Sequence, residues 1–156
     1  MKINKELWAK KQENETGFQW LPLYIHLSDT KNVMALLWEH WISESQKELI
    51  ITSIKDGNED IAKNLVMFIG AIHDIGKATP AFQIKKGFGN SMDLDKILKE
   101  KLETSGFIGV SDVHLSSINK SHHSLAGQYI LSKFGVKDDI GSIIGSHHGK
   151  SVESSS

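Results

Sequence analysis

Histidine and aspartate are the residues of this chain whose types and spacing could do chemistry. Eight histidines occur among 156 residues, and four of them form adjacent pairs at 122–123 and 147–148. The dipeptide His73-Asp74 lies in the string IGAIHDIGK, and His26 lies in LPLYIHLSD. Imidazole nitrogens suit Mn, Fe, Co, Ni, Zn or Cu, and a carboxylate has two oxygens that can bridge two ions. These residues therefore indicate a centre for divalent metal ions.

Each of these residues also has an ordinary structural interpretation. His73-Asp74 could be a solvated pair at the end of a helix, and the pair at 147–148 in IIGSHHGK could be exposed in the same way. His26, between two apolar residues, is typical of a core histidine whose hydrogen bonds are satisfied. The metal interpretation requires that the fold bring the clusters together.

Asp74 is the residue that we expect to connect the ligands. Neighbouring helical residues point about 100° apart, so His73 and Asp74 can approach an ion from different angles. Five histidines and one aspartate exceed what one closed site needs, and they fit two ions that share a carboxylate, an arrangement suited to phosphoryl transfer. Lys77, one turn after His73, could hold a phosphate as a point charge, or it could be an exposed lysine at a helix end. The candidate metal ligands are His26, His73, Asp74, His123, His147 and His148.

Composition excludes several other classes of protein. The chain contains no cysteine, which rules out disulfides, thiolate metal sites and cysteine nucleophiles, and which fits a cytoplasmic location. The net charge is -1, and all 18 basic residues are lysine, which argues against a duplex-DNA binder with a basic face. The longest apolar run, 65–72, is too short to cross a membrane, and the charged N-terminus does not resemble a secretory signal.

Helices must position the candidate ligands, and the apolar spacing predicts a single all-α domain. We expect Gly76 to end the second helix in a left-handed conformation, Thr79-Pro80 to begin a short helix over 81–85, and residues 107–120 to form a loop. No segment predicts a strong strand. The predicted apolar faces comprise Val33, Leu36, Leu37, His40 and Trp41; Ile61, Leu65, Phe68 and Ile72; Leu94, Ile97, Leu98 and Leu102; Leu125, Ala126, Tyr129, Ile130 and Phe134; and Ile140, Ile143 and Ile144.

Caps and termini complete the predicted organisation. We expect Ser121 to cap the helix over 122–134, with Gly135 as its stop, and Asp138 or Asp139 to cap a last helix that runs to about residue 148. Residues 1–150 form the predicted domain. The Ser-rich tail 151–156 is expected to be disordered.

The order of these motifs resembles the HD superfamily of metal-dependent phosphohydrolases. The string HDIGKATPAFQ, which contains His73, Asp74 and Lys77, is similar to the HD nuclease domain of the CRISPR-associated nuclease–helicases of type I systems. The strings WLPLYIHLSD, HHSLAGQ and IGSHHGK are similar to other motifs of that family. The resemblance covers roughly residues 5–150.

The resemblance implies an all-helical HD bundle with a metal centre between its helices. It implies cleavage of single-stranded DNA with one or two divalent ions, which could be Mn, Ni, Co, Fe or Mg. It also implies a helicase partner, in the same or a separate chain, and recruitment by the RNA-guided Cascade complex. By motif, one ion would take His26, His73 and Asp74, the other would take Asp74, His123, His147 and His148, and Lys77 matches the lysine that follows the HD dipeptide.

Two departures from the family's pattern shape what we expect of this sequence. The family has a further aspartate well downstream that completes the first metal site, and this sequence ends before any such position. It also contains no phosphate-binding loop of a helicase. We therefore expect an N-terminal piece of a longer protein, or a truncated one, in which the second metal site is the better occupied. The alternatives are an HD phosphohydrolase that acts on nucleotides and a truncated, inactive domain that only binds partners.

Few features of the sequence predict how DNA would be held. Lys85-Lys86 is the lysine cluster near the motifs, which predicts a modest, salt-sensitive affinity for free DNA. The tryptophans at 8, 20, 38 and 41 are candidate stacking platforms. For Trp38 and Trp41, helical spacing favours core packing instead.

Overall fold

The computed structural model describes residues 4–15, 17–86, 92–116 and 121–149. Within these ranges the chain forms seven α-helices, two short 3₁₀ helices and one antiparallel hairpin, which confirms the predicted all-α class. The strands are β1 (Trp8–Asn14) and β2 (Gly17–Pro22). The helices are α1 (Leu23–His40), α2 (Glu44–Ser53), α3 (Glu59–Ile72), α4 (Pro80–Gln83), α5 (Met92–Thr104), α6 (His123–Lys133) and α7 (Asp138–Gly145), with 3₁₀ helices at Ile75–Ala78 and Val110–Asp112.

Helix α3 is central to the first half of the domain, as its apolar sequence predicts. It packs along α1 and also contacts α2. Its buried positions are Ala62, Val66 and Gly70, which lie next to the predicted stripe rather than on it, and Ile61 and Phe68 of that stripe are exposed. Because the helix is apolar nearly all round, periodicity alone does not select the face that packs on α1.

The predicted face of α1 is also wrong. Val33 and Leu36 are more than half exposed and Trp41 is 84% exposed, whereas Trp38 is completely buried against α3. The helix begins at Leu23, ten residues before the predicted stripe, with Pro22 at its N-cap. The face of α1 that packs is the one that meets Ala62 and Val66 of α3. The sequence of α1 by itself does not indicate where these residues lie.

The hairpin of β1 and β2 was not expected, because no segment of the sequence predicts a strong strand. β1 is mostly polar, β2 is mostly apolar, and neither alternates strictly, so the usual signal is absent. Contacts far along the chain hold it in place. Trp8 packs on Leu94 and Leu98 of α5, and the buried Gln83 side chain bonds the Trp8 backbone at both its amide and its carbonyl, at 3.1 Å and 2.9 Å.

The predicted helix ends are correct at some positions and wrong at others. Thr79 and Pro80 occupy the N-cap and N1 positions of α4, and Gly135 has the left-handed φ of 75° that a helix stop requires. The N-caps of α6 and α7 are His122 and Lys137 rather than Ser121 and Asp138 or Asp139, and neither bonds the helix through its side chain. Because non-helical φ and ψ define an N-cap, a preferred cap residue can lie one position away from it.

The loop predicted over 107–120 is largely irregular where the structure describes it, with the 3₁₀ turn Val110–Asp112 inside it. Residues 117–120 and the tail 151–156 lie outside the described residues, so the tail and the boundary of the domain at residue 150 stay predictions. Among the described helices, none is both long and apolar enough to cross a membrane.

Candidate metal centre

Four imidazole rings surround the carboxylate of Asp74. Its Oδ2 lies 2.8 Å from Nε2 of His26 and 3.1 Å from Nε2 of His73. Its Oδ1 lies 3.0 Å from Nε2 of His123 and 3.4 Å from Nε2 of His147. Each carboxylate oxygen therefore faces its own pair of histidines.

His148 extends the second of these pairs. Its Nε2 lies 2.9 Å from Nε2 of His123, and its ring centroid lies 4.2 Å from that of His147. In each of two groups the potential ligand atoms all lie within 4.8 Å of one another, and both groups contain Asp74. The groups are His26, His73 and Asp74, and Asp74, His123, His147 and His148.

The six side chains come from the ends of four helices. His26 lies in the first turn of α1, and His73 and Asp74 directly follow α3. His123 is the first residue of α6, and the pair at 147–148 lies in the turn that follows α7. Side chains at the ends of helices can reach a common point. These four helix ends are far apart in the sequence, and only the packing of the helices brings them together.

Gly76 makes this convergence possible. It lies in the 3₁₀ helix Ile75–Ala78, does not have a positive φ and is buried, so the predicted left-handed cap is wrong. A Cβ atom on Gly76 would lie 1.8 Å from the carbonyl oxygen of His123 and 2.5 Å from the amide nitrogen of Gly127. Glycine is therefore needed for the close approach of α6, which brings His123 to Asp74.

Two of the histidines have a fixed tautomer. Nδ1 of His73 lies 2.8 Å from the carbonyl oxygen of Gly70, and Nδ1 of His147 lies 2.6 Å from that of Ile144. A carbonyl only accepts, so each Nδ1 carries the hydrogen and donates it. In the neutral ring Nε2 is then left with a free lone pair, which points at Asp74. Such a backbone contact is what orients histidine ligands in metal sites.

The electrostatics of the centre keep Asp74 ionised. Burial raises the pKa of this carboxyl, but close contacts with the neighbouring imidazoles and the Lys77 ammonium outweigh burial and hold the pKa well below its usual range. The contact with Asp74 raises the pKa of His73, whereas burial lowers the pKa of His26 and His148. The centre therefore combines the negative charge of Asp74 with imidazoles whose pKa values are shifted in different directions.

The residues of the centre fit a divalent cation. Oδ1 of Asp74 and Nε2 of His147 are buried and have no hydrogen-bond partner. A buried polar atom without a partner costs free energy, and a cation between these two atoms would satisfy both. The donor set of nitrogen and carboxylate oxygen, without sulfur, suits first-row transition metals.

Lys77 is more buried than expected for either a phosphate-binding lysine or an exposed lysine at a helix end. Its side chain is buried, and its Nζ lies 2.6 Å from Oδ2 of Asp74 and 5.4 Å from the ring centroid of Phe82. It is therefore not an exposed lysine at a helix end. If Lys77 contacts a phosphate, it would do so while its ammonium is already in an ion pair with Asp74.

Comparison with known proteins shows the family of the chain. A family model described as "Cas3, HD domain" matches residues 8–156. The chain belongs to the Cas3 HD domain family. It is also 58% identical, over 153 residues, to a curated protein of Streptococcus thermophilus named "CRISPR-associated nuclease/helicase Cas3". The aligned region is 97% of this chain and 16% of that relative. No solved structure gives a significant match.

The remaining histidines of this Cas3 HD domain lie outside the centre. His40, at the last turn of α1, His114 and His122 are all exposed. The exposure of His40 contradicts the apolar face on which it was predicted. The other two were not among the candidate ligands, and their exposure agrees with that.

Sequence reasoning missed two side chains that support the centre of this Cas3 HD domain. Nε2 of Gln83 donates to the carbonyl oxygen of Lys77 at 2.7 Å and thereby ties the hairpin to the segment that carries Lys77. The ring of Phe82 meets the ring of His123 edge to face at 5.5 Å. Phe82 and Gln83 are the last two residues of the string HDIGKATPAFQ, and this was the feature of the sequence that could have identified them.

Proposed function

We propose that this chain is a metal-dependent nuclease domain that hydrolyses phosphodiester bonds of single-stranded DNA in CRISPR interference. The observation that carries the proposal is the position of Asp74, which turns one oxygen toward each of two groups of imidazoles. A shared carboxylate of this kind is suited to a pair of divalent ions. Membership of the Cas3 HD domain family supports the same conclusion.

The proposed ligands divide between the two groups. His26, His73 and Asp74 would hold one ion, and Asp74, His123, His147 and His148 would hold the other, with Mn, Ni, Co, Fe or Mg as the candidate metals. When bound, such ions act as Lewis acids, make water more acidic and offset negative charge on a phosphate. Asp74 stays ionised between the two positions, and Lys77 adds a positive charge beside it.

We propose that other proteins or domains deliver the DNA. The name of the Streptococcus thermophilus relative joins a nuclease with a helicase, and the chain spans about a sixth of that relative's length. A helicase, in the same or a separate chain, would feed the displaced strand to the centre after recruitment by Cascade, in the cytoplasm.

Cleavage of circular single-stranded DNA tests the proposed function. The purified chain is incubated with the DNA and Mn²⁺, Ni²⁺ or Co²⁺, and the products are separated on a gel. We expect metal-dependent cleavage that Asp74→Ala slows by about 100-fold or more, since even residues that only orient metal ligands change activity 10- to 100-fold. His122→Ala is the matched control, because His122 is exposed and lies outside the centre.

A panel of nucleotides, tested in parallel, separates the alternatives. Hydrolysis of nucleotides without cleavage of DNA would identify a phosphohydrolase and contradict the nuclease proposal. A folded chain that cleaves neither substrate with any of these metals would be a domain that binds partners without catalysis.

A further inference from the structure

A large cleft lies beside the metal centre and has no part in the proposed metal chemistry. Its volume is about 1270 Å³, which exceeds the ~300–1,000 Å³ typical of sites for small molecules. The hairpin of β1 and β2 forms one wall, and residues of α4, α5 and the segment 111–115 form the others. Its size and open shape suit an extended ligand rather than a compact one.

The lining of the cleft combines apolar surface with a concentration of lysines. Five lysines from three parts of the chain meet there, and none of the described residues that line it is acidic. The chain as a whole has 18 basic and 19 acidic residues, so composition does not explain this concentration. One of the five, Lys11, is buried and paired with Asp95, which leaves four lysines as candidate phosphate contacts. The five are Lys10, Lys11, Lys85, Lys86 and Lys99.

The cleft adjoins the metal centre at Phe82. Phe82 lines the cleft, and its ring meets the ring of the proposed ligand His123. The Nζ atom of Lys85 lies 5.5 Å from the centroid of the same Phe82 ring and donates to the carbonyl oxygen of Ser121 at 3.2 Å. A ligand in the cleft would therefore reach the ligands of the centre by passing Phe82.

We propose that this cleft binds the backbone of a single nucleic-acid strand and leads it to the metal centre. The inference rests on the proposed function. Proteins that bind single strands without sequence preference combine a basic groove with aromatic side chains, and here Trp20 and Phe82 are the half-buried aromatic residues of the lining. Contacts to phosphates carry no sequence information, so lysines that bind the backbone would select a polyanion and not a sequence.

The cleft also changes what the sequence predicts about DNA affinity. In the sequence, Lys85-Lys86 is an isolated cluster near the motifs, but the fold adds Lys10 from β1 and Lys99 from α5. The tryptophans do not act together as platforms. Trp8 is buried beneath the cleft and Trp20 is partly exposed, so stacking would fall to Trp20.

Binding of labelled oligothymidylate across a series of salt concentrations tests the proposal. Fluorescence anisotropy is measured in EDTA, so that cleavage does not interfere. We compare the wild-type chain with the triple variant Lys10→Gln, Lys86→Gln, Lys99→Gln. The matched control has the same change of charge at Lys31→Gln, Lys55→Gln, Lys133→Gln, which are exposed lysines that do not line the cleft.

We expect the cleft variant to bind about tenfold more weakly at low salt, or weaker still, and the slope of log affinity against log salt to fall by about 2, because each lost contact to a single strand contributes about 0.7. Circular dichroism checks that both variants fold. Equal losses in the two triple variants, or no loss in the cleft variant, would overturn the proposal.

Hydrolysis of the small phosphodiester bis(p-nitrophenyl) phosphate separates this proposal from the proposed function. This substrate needs the metal centre and does not extend into the cleft, so we expect the cleft variant to hydrolyse it at the wild-type rate. A wild-type chain that hydrolyses no phosphodiester contradicts the proposed function, whereas the anisotropy in EDTA decides the role of the cleft in either case.

Discussion

A buried carboxylate is destabilising unless cations or hydrogen-bond donors surround it, and Asp74 is buried with 4% of its surface exposed. His26 and Lys77 lie within 2.8 Å and 2.6 Å of its Oδ2, while its Oδ1 has no hydrogen-bond partner. The protein thus provides hydrogen-bond partners for Oδ2 and none for Oδ1, so a cation in the group of His123 and His147 would satisfy the remaining oxygen. This asymmetry allows the same residue to contribute to folding and to metal binding.

Removal of the Asp74 carboxylate is expected to destabilise the metal-free domain. Asp74→Ala leaves Lys77 buried without its partner, and breaking a buried ion pair in this way costs about 3–5 kcal/mol. The double variant Asp74→Ala, Lys77→Met should recover part of that loss, because the unpaired charge is gone. Urea unfolding in EDTA measures both, and a single variant as stable as the wild-type chain would contradict the expectation.

The two groups of ligands should differ in metal affinity. The group around His147 offers four ligand side chains and the group around His26 offers three, so we expect the first to be better occupied. Calorimetric titration with Mn²⁺ should show that His147→Ala weakens the tightest binding more than His26→Ala does. The opposite result, with His147→Ala unchanged and His26→Ala without binding, would show that the order of the sites is reversed.

Helix ends and tight contacts between elements build the centre. The 3₁₀ helix Ile75–Ala78 brings Gly76 against the start of α6, while α6 also packs on α7 and thereby places the turn at 147–148 near His123. Gln83 fixes the other side of this 3₁₀ helix to the hairpin. The 3₁₀ helix is therefore held between α6 and the hairpin, and its position sets that of Asp74.

A methyl group at position 76 should separate these elements. Gly76→Ala would place its Cβ in the backbone of His123, a clash that side-chain rotation does not relieve, and we expect a loss of about 3 kcal/mol or more. Gly141→Ala is the matched control within α7, where the new Cβ would lie 3.6 Å from Gln128 Cγ in ordinary contact. Thermal unfolding compares the two. Equal stability of the variants would mean that the approach of α6 tolerates a side chain.

At the scale of the whole molecule, the proposed ions would cross-link the chain. The ligands extend from His26 to His148 and come from both halves of the domain. A ligand that binds the folded state and not the unfolded chain stabilises the fold by mass action. Metal binding and global stability should therefore be coupled.

Addition of Mn²⁺ should raise the melting temperature. At about 100 times the dissociation constant the stabilisation is about 2.7 kcal/mol, which corresponds to roughly 5–10 °C for a domain of this size. Differential scanning fluorimetry measures the shift. Ca²⁺, which prefers oxygen ligands, should give a smaller shift, and Asp74→Ala should remove it. An equal Mn²⁺ shift in Asp74→Ala would place the responsible ion elsewhere.

Local chemistry made part of this protein predictable. The all-α class, the central helix α3 and the start of α4 follow from apolar content and from the dipeptide Thr79-Pro80. The hairpin was missed because Trp8 finds its partners on α5 and at Gln83, about 75 or more residues away in sequence. The packed face of α1 was missed because the buried residues that cluster with Trp38, Ala62 and Val66, belong to α3.

The sequence by itself determined the residue types of the candidate centre and the family, because both depend on local strings such as HDIGKATPAFQ. Only the tertiary structure decided that Asp74 faces a different set of imidazoles with each oxygen, and that Gly76 serves the approach of α6 rather than a helix stop. It also decided that separated lysines meet in one cleft. The physical reason is that close packing, which acts between residues far apart in the chain, sets these distances, and no local pattern encodes them.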